Sequence, residues 1–281
     1  MNYRDTINKG KSILLKNSIF TANLDAEILL SKTLNKSREE ILLNQNQKIN
    51  INQMKNFIDL INRRKFKEPI SVILEKKFFW KTQFIVNKNV LTPRFETELL
   101  VEALLKIYKQ SNQINLLDIG VGSGCILISL LKEKKKWKGT GIDVSTMAIN
   151  TAKTNAKIQQ VDNRIRFINS DIDNFSLGKY DLIVTNPPYI NKIGYNNLDI
   201  GVKGFEPKTA LYGGIDGFDV IEKLIIKSKV ILKRNGLLAM EIGFGQSYKA
   251  EKILKNNGFY ISKIVKDYQK IKRCIISKKI K

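Results

Sequence analysis

The chain contains no histidine among its 281 residues, and only two cysteines, five prolines and two tryptophans. The missing imidazole excludes a Ser-His-Asp or Cys-His nucleophile system, a His-based metal site and the usual proton shuttle near neutral pH. Cys125 and Cys274 stand far apart and outside any CxxC spacing, so neither a zinc site nor a disulfide framework is expected. Each reads as a buried, inert thiol, and no metal is expected. No run of about 18 apolar residues occurs, and no charged-then-apolar leader follows Met1. The expectation is a cytoplasmic protein with no membrane association. With 43% hydrophobic and 27% charged residues, the composition is that of a soluble, core-forming chain. Its length allows one large domain or two smaller ones at roughly 100–200 residues each.

Acidic residues are also scarce: 26 Asp and Glu stand against 49 Lys and Arg, a formal net charge of +23. Such an excess invites a nucleic-acid reading. Its source argues otherwise. Lys (40), Ile (40) and Asn (27) make up 107 of the 281 residues. All three have A/T-rich codons, so drift in genome composition yields the same bias without a polyanion partner. The charge is also spread, with 16 basic and 8 acidic residues in 1–85 and 33 and 18 in 86–281. Runs such as Arg63 to Lys67 and Lys134 to Lys138 read as solvated faces.

The first 65 or so residues carry helical periodicity. Tyr3 to Ser18 places Ile7, Ile13, Leu14 and Leu15 near one stripe, and Asn23 to Ala26 reads as a capped helix start. Ser37 and Glu40 have capping-box spacing, and Asn52 to Phe66 is amphipathic. Pro69 ends that pattern. From Ile70 to Val90 the apolar residues Val72, Leu74, Phe78, Trp80, Phe84 and Val86 alternate, as in a β-hairpin. After a helix over Glu96 to Tyr108, short apolar runs begin at Ile114, Gly139, Ile165, Tyr180 and Gly236, with helical patterns between most of them. This alternation predicts βαβ units and a mostly parallel sheet, closed by an antiparallel pair over Tyr260 to Val265 and Arg273 to Ser277. The expected divisions are a helical bundle over 1–68, a hairpin linker over 69–92 and an α/β domain over 93–281.

Leu116 to Ile119 is a buried strand that runs into Gly120-Val121-Gly122-Ser123-Gly124 and then a helix. The spacing is G-x-G-x-G. A dinucleotide fingerprint, G-x-G-x-x-G, would leave Gly124 unexplained. Asp118, directly before the loop, would repel a pyrophosphate but suits a ligand carrying an ammonium group. That favours S-adenosyl-L-methionine over a nucleotide phosphate. Asp143, at a strand end 23 residues past Gly120, is placed to accept hydrogen bonds from ribose hydroxyls. Asp171, after the third strand, could reach an adenine amino group, with Ile172 beside it. On these residues the second domain resembles a Rossmann-like class I methyltransferase.

After the fourth strand comes Thr185-Asn186-Pro187-Pro188-Tyr189. The prolines remove backbone donors and hold Asn186 and Pro187 extended, so the Asn186 side-chain oxygen and a backbone carbonyl remain to face the site. Two acceptors suit a planar –NH2 group. Its nitrogen is a poor nucleophile because the lone pair is delocalised, and acceptors on both N–H groups orient it and support the charge that develops. Tyr189 would be a wall for the planar group. Adenine N6, guanine N2 and a glutamine amide all meet this description, and the tetrapeptide does not choose among them.

Glu68-Pro69-Ile70, Phe79-Trp80, Leu91 to Glu98, Asp118 to Gly124, Asn186 to Tyr189, Phe205-Glu206-Pro207, Ala210 to Gly214, Asp216-Gly217 and Glu241-Ile242-Gly243 occur in that order. Together they closely resemble the bacterial peptide chain release factor glutamine methyltransferases, the PrmC/HemK family, over nearly the whole chain. The resemblance implies methyl transfer from S-adenosyl-L-methionine to the N5 amide of the glutamine in the GGQ loop of class I release factors. It further implies that the N-terminal bundle binds the release factor and that the protein works as a monomer without obligatory nucleic acid. Gly120 to Gly124 and Asp143 would hold the cofactor, together with Asp118, Asp171, Ile172 and Asn186. Asn186, Pro187, Pro188 and Tyr189 would hold the glutamine, with Asn186, Pro187 and Tyr189 carrying the chemistry. Arg94 would lie at the mouth as a planar bidentate contact. The Glu96-Thr97-Glu98 stretch would lie beside it, or simply cap the helix that follows. Phe95 departs from the proline usual in the family, and Ile172 from an aromatic found in some members. Rival readings are a ribosomal-protein glutamine methyltransferase, a DNA adenine or ribosomal-RNA guanine methyltransferase, and a non-catalytic cofactor-binding module.

Overall fold

Five helices open the chain: α1 (Tyr3–Leu15), α2 (Ala22–Leu34), α3 (Arg38–Leu43), α4 (Ile51–Lys65) and α5 (Ile70–Leu74). Strands β1 (Lys76–Phe79) and β2 (Thr82–Ile85) follow. Then α6 (Phe95–Ile107), β3 (Asn115–Ile119), α7 (Cys125–Glu133), β4 (Lys138–Asp143), α8 (Thr146–Ile158), β5 (Ile165–Asn169) and β6 (Tyr180–Thr185) alternate. The short helices α9 (Lys192–Asn196) and α10 (Ile200–Lys203) precede α11 (Asp219–Ile231), β7 (Leu232–Glu241), α12 (Ser247–Asn256), β8 (Phe259–Lys266) and β9 (Lys272–Lys279). This is a computed structural model, and it describes residues 1–110 and 113–280.

The chain divides into two compact units. One comprises Met1–Glu75 with Asp199–Phe205, and the other Lys76–Leu198 with Glu206–Lys281. In the first, Leu14, Leu29, Leu30, Ile41, Phe57 and Ile61 are wholly buried in one cluster. Each such side chain contributes roughly 1.5–3 kcal/mol of burial. The expected Ser37–Glu40 capping box forms at α3, and a second, Asn50–Gln53, starts α4. The cap expected at Asn23 does not form. The α2 helix begins at Ala22 after Thr21, whose hydroxyl donates to Asp25 Oδ2 at 2.8 Å, and Asn23 Nδ2 donates to Glu27 Oε1 at 2.6 Å. A polar residue ahead of an apolar stripe marks a helix start only to within a residue or two.

The alternation over Ile70 to Val90 also resolves differently from the expected hairpin. Pro69 sits at an N-cap, where its fixed φ starts the helix α5, and Glu75 in the left-handed region ends it. Only residues 76–85 form the hairpin, with Phe79 opposite Thr82. Phe79 and Phe84 are buried in the core of the second unit, and Asn155 of α8 holds Ile85 at both ends, accepting from its N–H at 2.7 Å and donating to its carbonyl at 2.9 Å.

The second unit is built on a seven-stranded sheet in the order β5-β4-β3-β6-β7-β9-β8. The first five strands are parallel, and β9 and β8 close the edge in antiparallel fashion, as the sequence pattern predicts. Strand alternation splits the core between the two faces. Leu116, Leu182 and Ala239 pack with α6, α7 and α8, while Leu117, Ile183 and Leu238 pack with α11 and α12. The chain leaves β3 toward β4 on one side and later returns to β6 on the other. The carboxyl ends of β3 and β6 therefore flank a topological switch point, where open α/β sheets place ligands. Among the described residues, no helix is long and apolar enough to cross a membrane.

Candidate active site

A cavity of about 410 Å³ opens at those strand ends, within the range of small-molecule sites. Of the residues singled out from the sequence, Arg94, Gly120, Val121, Gly122, Ser123, Asp143, Asp171, Ile172, Asn186 and Pro188 line it. Asp118, Gly124, Pro187 and Tyr189 stand behind the wall rather than in it. Cys125, expected to be buried, is only half-buried because the first residue of α7 faces the cavity. Its apolar surroundings push the thiol up to about 12, so it remains protonated. Cys274 is buried as expected.

One end of the cavity is backbone. Gly120 and Val121 both donate to the Ile142 carbonyl at 2.9 Å, which ties the loop to the end of β4. Gly120 has φ +73°, and a Cβ there would meet nothing within 4 Å, so it opens on free space. Gly124, with φ +80°, is different: its Cβ would stand 2.8 Å from Ile128 Cδ1. That close approach to α7 accounts for the third glycine of G-x-G-x-G. Asp143 accepts from the Gly122 N–H and the Ser145 N–H, each at 2.9 Å. Burial raises its pKa, and these two bonds partly offset the rise.

Asp118 is buried beneath the loop, where Oδ2 accepts from the Leu127 N–H at 3.3 Å and Oδ1 has no partner. Burial pushes its carboxyl up to about 7; the Leu127 bond opposes this and the Asp143 charge adds to it. An under-partnered carboxylate of this kind creates a local field that favours a cation in the cavity. Asp171 lines the far side, but both of its oxygens are engaged by Asn174, through the backbone N–H at 2.7 Å and Nδ2 at 2.8 Å. Those bonds hold its carboxyl below the usual range. Val121, Val144 and Ile172 supply apolar wall between the acids.

The other end is side chain. Asn186 Nδ2 donates to Thr97 Oγ1 at 3.2 Å, and Thr97 Oγ1 donates to Glu241 Oε2 at 2.6 Å. Tyr189, whose ring is off the cavity wall, donates its hydroxyl to Glu241 Oε1 at 3.1 Å. Thr185 Oγ1 donates to the Ile119 carbonyl at 2.8 Å, and Gln246 Nε2 to the Tyr189 carbonyl at 3.0 Å, which fixes the backbone on both sides of the prolines. Arg94 pairs with the buried Glu206 at 2.5 Å, so its planar partner in the structure is a carboxylate of the same chain. Burial raises the Glu206 carboxyl and the Arg94 guanidinium lowers it. Glu98, rather than capping α6, accepts from the Trp80 N–H at 2.9 Å. Thr97, Glu206 and Glu241 all belong to motifs visible in the sequence, but nothing local to any of them signals that they meet partners far along the chain.

Residues 5–74 match the PrmC N-terminal domain family, and residues 95–201 the Methyltransferase small domain family. The chain is 35% identical over 280 residues to a release factor glutamine methyltransferase of Clostridium acetobutylicum, covering 99% of this chain and 98% of that one. It is 36% identical to the protein of that name from Caulobacter vibrioides, covering 92% and 89%. It is also 34% identical to a bifunctional methyltransferase of Rickettsia prowazekii, of which it spans 56%. Among solved structures, the ribosomal protein L11 methylase of Lactobacillus delbrueckii subsp. bulgaricus shares the fold at 18% identity, with a TM-score of 0.52 over 73% of this chain and 90% of that one. The tRNA m1G37 methyltransferase of M. jannaschii does so at 21% identity and a TM-score of 0.52, over 73% and 56%.

Proposed function

The chain belongs to the release factor glutamine methyltransferases, and from that membership we propose that it methylates the side-chain amide of a glutamine in a peptide chain release factor. The observation that carries the reading is the Asn186 amide at the carboxyl end of β6, held by Thr97 and Glu241 beside a cavity whose opposite end is a glycine loop. S-adenosyl-L-methionine is the cofactor, and it supplies a methyl group on a positively charged sulfur that leaves as a neutral sulfide.

The residues present fit that cofactor. The unpartnered Asp118 Oδ1 under the loop favours a cation, the loop faces open space at Gly120, and Asp143 stands at the strand end where a ribose would be recognised. In this reading Gly120 to Ser123 and Asp143 contact the cofactor, Val121 and Ile172 pack its base, and Asp171 lies within reach of the amino group. Asp118 and Gly124 act from behind the loop, one by charge and the other by packing.

Asn186 Oδ1 and a backbone carbonyl of the tetrapeptide accept from the two N–H groups of the substrate amide. They orient its nitrogen and stabilise the positive charge that builds on it, an effect worth a few kcal/mol per acceptor by analogy with oxyanion holes. One amide proton leaves to solvent after transfer. Pro188 shapes the wall, Tyr189 anchors the tetrapeptide through Glu241, and Arg94 with Glu206 holds the rim. The acceptor is the N5 amide in the GGQ loop of class I release factors, and the N-terminal helical unit contributes to holding that partner. The protein acts as a cytoplasmic monomer with no obligatory nucleic acid.

Labelled cofactor offered together with a release factor, duplex DNA and ribosomal protein tests the reading. Label is expected in the release factor alone and lost when the loop glutamine is replaced by alanine. Label in DNA or ribosomal protein would overturn it.

A further inference from the structure

We propose that Thr97 and Glu241 are positioning residues for methyl transfer, which set the orientation of the Asn186 side-chain amide so that its Oδ1 faces the substrate nitrogen. The proposal rests on the reading of Asn186 as the acceptor for the glutamine amide.

The two ends of a carboxamide are nearly identical in shape, so only hydrogen bonding decides which faces the site. The decision here starts at Glu241, which is 2% exposed at the end of β7. An ionised carboxylate only accepts. It takes one proton from Thr97 Oγ1 at 2.6 Å and another from the Tyr189 hydroxyl at 3.1 Å. Thr97 has a single hydroxyl proton and spends it on the shorter bond. Its oxygen can then only accept, and the atom 3.2 Å away must be the Asn186 Nδ2. Oδ1 is left on the opposite side of the amide, with no partner among the described residues.

Reversing the first proton reverses the chain. A neutral Glu241 can donate to Thr97, the Thr97 hydroxyl is then free to donate to Asn186, and the flipped amide presents N–H groups toward the substrate –NH2. One acceptor is lost and a donor faces a donor. The groups around Glu241 are Glu96 of α6, Tyr189 after β6, Cys125 of α7, and Arg273 and Cys274 of β9. Burial pushes the carboxyl up to about 7. The Thr97 and Tyr189 hydroxyls and Arg273 pull it down, and Glu96 pushes it further up. The ionised form, and with it the working amide orientation, is therefore lost as pH falls through about 7.

The test compares Thr97→Val, which keeps the shape and removes the hydroxyl, with Thr97→Ser, which keeps the hydroxyl, and with Glu241→Gln. Thr97→Val should lower kcat about 10²-fold with little change in cofactor affinity, and Thr97→Ser should recover most of that loss. The wild-type kcat should fall on the acid side near 7, and this limb should be absent in Glu241→Gln. Equal activity in the valine and serine variants would overturn the proposal. So would persistence of the acid limb in Glu241→Gln, which would assign it to Asp118 instead. A second readout needs no substrate. In the wild-type protein the 15N–1H signals of the Asn186 side-chain amide should move in step with the 13C titration of the Glu241 carboxyl, and in Thr97→Val they should not. Wild-type Asn186 signals that ignore that titration would overturn the proposal. An enzyme that shows the coupling but leaves release factors unlabelled would overturn the substrate reading alone.

Discussion

The glycine loop and the Asn186 end of the same cavity are built from different material. At the loop, residues 120–124 turn within one short stretch, and backbone N–H groups of the loop and its neighbours hold Asp143 and the end of β4. At the Asn186 end, residues 97, 186, 189 and 241 come from two strand ends and a helix to form one chain of hydrogen bonds. The difference sets what each end does well. In the proposed reading, glycines and main-chain donors adapt closely to a ligand that many enzymes share, whereas a buried side-chain network fixes one amide in one orientation for one substrate group.

The comparison breaks most sharply at Asn186. Asn186→Ala should lower kcat about 10³-fold, because it removes the acceptor while the loop stays intact. Cofactor affinity measured by calorimetry should stay within a few-fold, and a large loss would place Asn186 at the cofactor end. At the loop, two glycines with similar φ should respond differently. Gly124→Ala combines left-handed strain with a clash on Ile128 and should destabilise by about 2–5 kcal/mol in urea unfolding. Gly120→Ala, with open space around its Cβ, should cost only the strain, about 1–2 kcal/mol. Equal losses would mean that packing on α7 plays no part.

Arg94→Ala leaves Glu206, which is 6% exposed, without its counter-ion, and should destabilise by about 1–3 kcal/mol, the partly exposed arginine moderating the loss. Glu206→Gln in the same background should recover much of it. Asp118 and Glu241 are both raised to about 7 by burial, so the folded state holds protons that the unfolded chain releases near 4. Stability should therefore fall as pH rises from about 4 to about 7, and Asp118→Asn should flatten that slope. A slope unchanged by the substitution would mean that Asp118 titrates normally. Smallest of all should be Phe95→Pro. Phe95 is the first residue of α6, is 62% exposed and stacks on the exposed Tyr268, so the change should stay within about 0.5 kcal/mol.

What the sequence made legible follows the same division. The strands of the sheet and the loop motif could be read because each is contiguous, with period-2 or period-3.6 patterning and glycines at a strand end, whereas the switch point depends on the strand order and showed only in the fold. The Ile70–Leu74 segment was misleading because four apolar residues in a five-residue stretch after a proline satisfy a short helix and a strand equally, and α5 is too short for its period to show. Asp118 could be placed before the loop but not behind the cavity wall, since a strand residue's face depends on the pleat and on which helix crosses it. Thr97 and Glu241 lie 144 residues apart. Each is unremarkable locally, and only the fold that brings α6 over the end of β7 makes them partners. Asn155, which bridges the hairpin and the Ser123 carbonyl at 2.9 Å, was invisible for the same reason.

The most direct test of the account is the site of the methyl group itself. A release factor incubated with this protein and S-adenosyl-L-methionine, then digested and fragmented in a mass spectrometer, should carry one added methyl on the side-chain amide of its loop glutamine and nowhere else. The Asn186→Ala protein should leave the same peptide unmodified. A methyl on any other residue, or an equal yield from Asn186→Ala, would contradict the assignment of that amide as the acceptor held by Asn186.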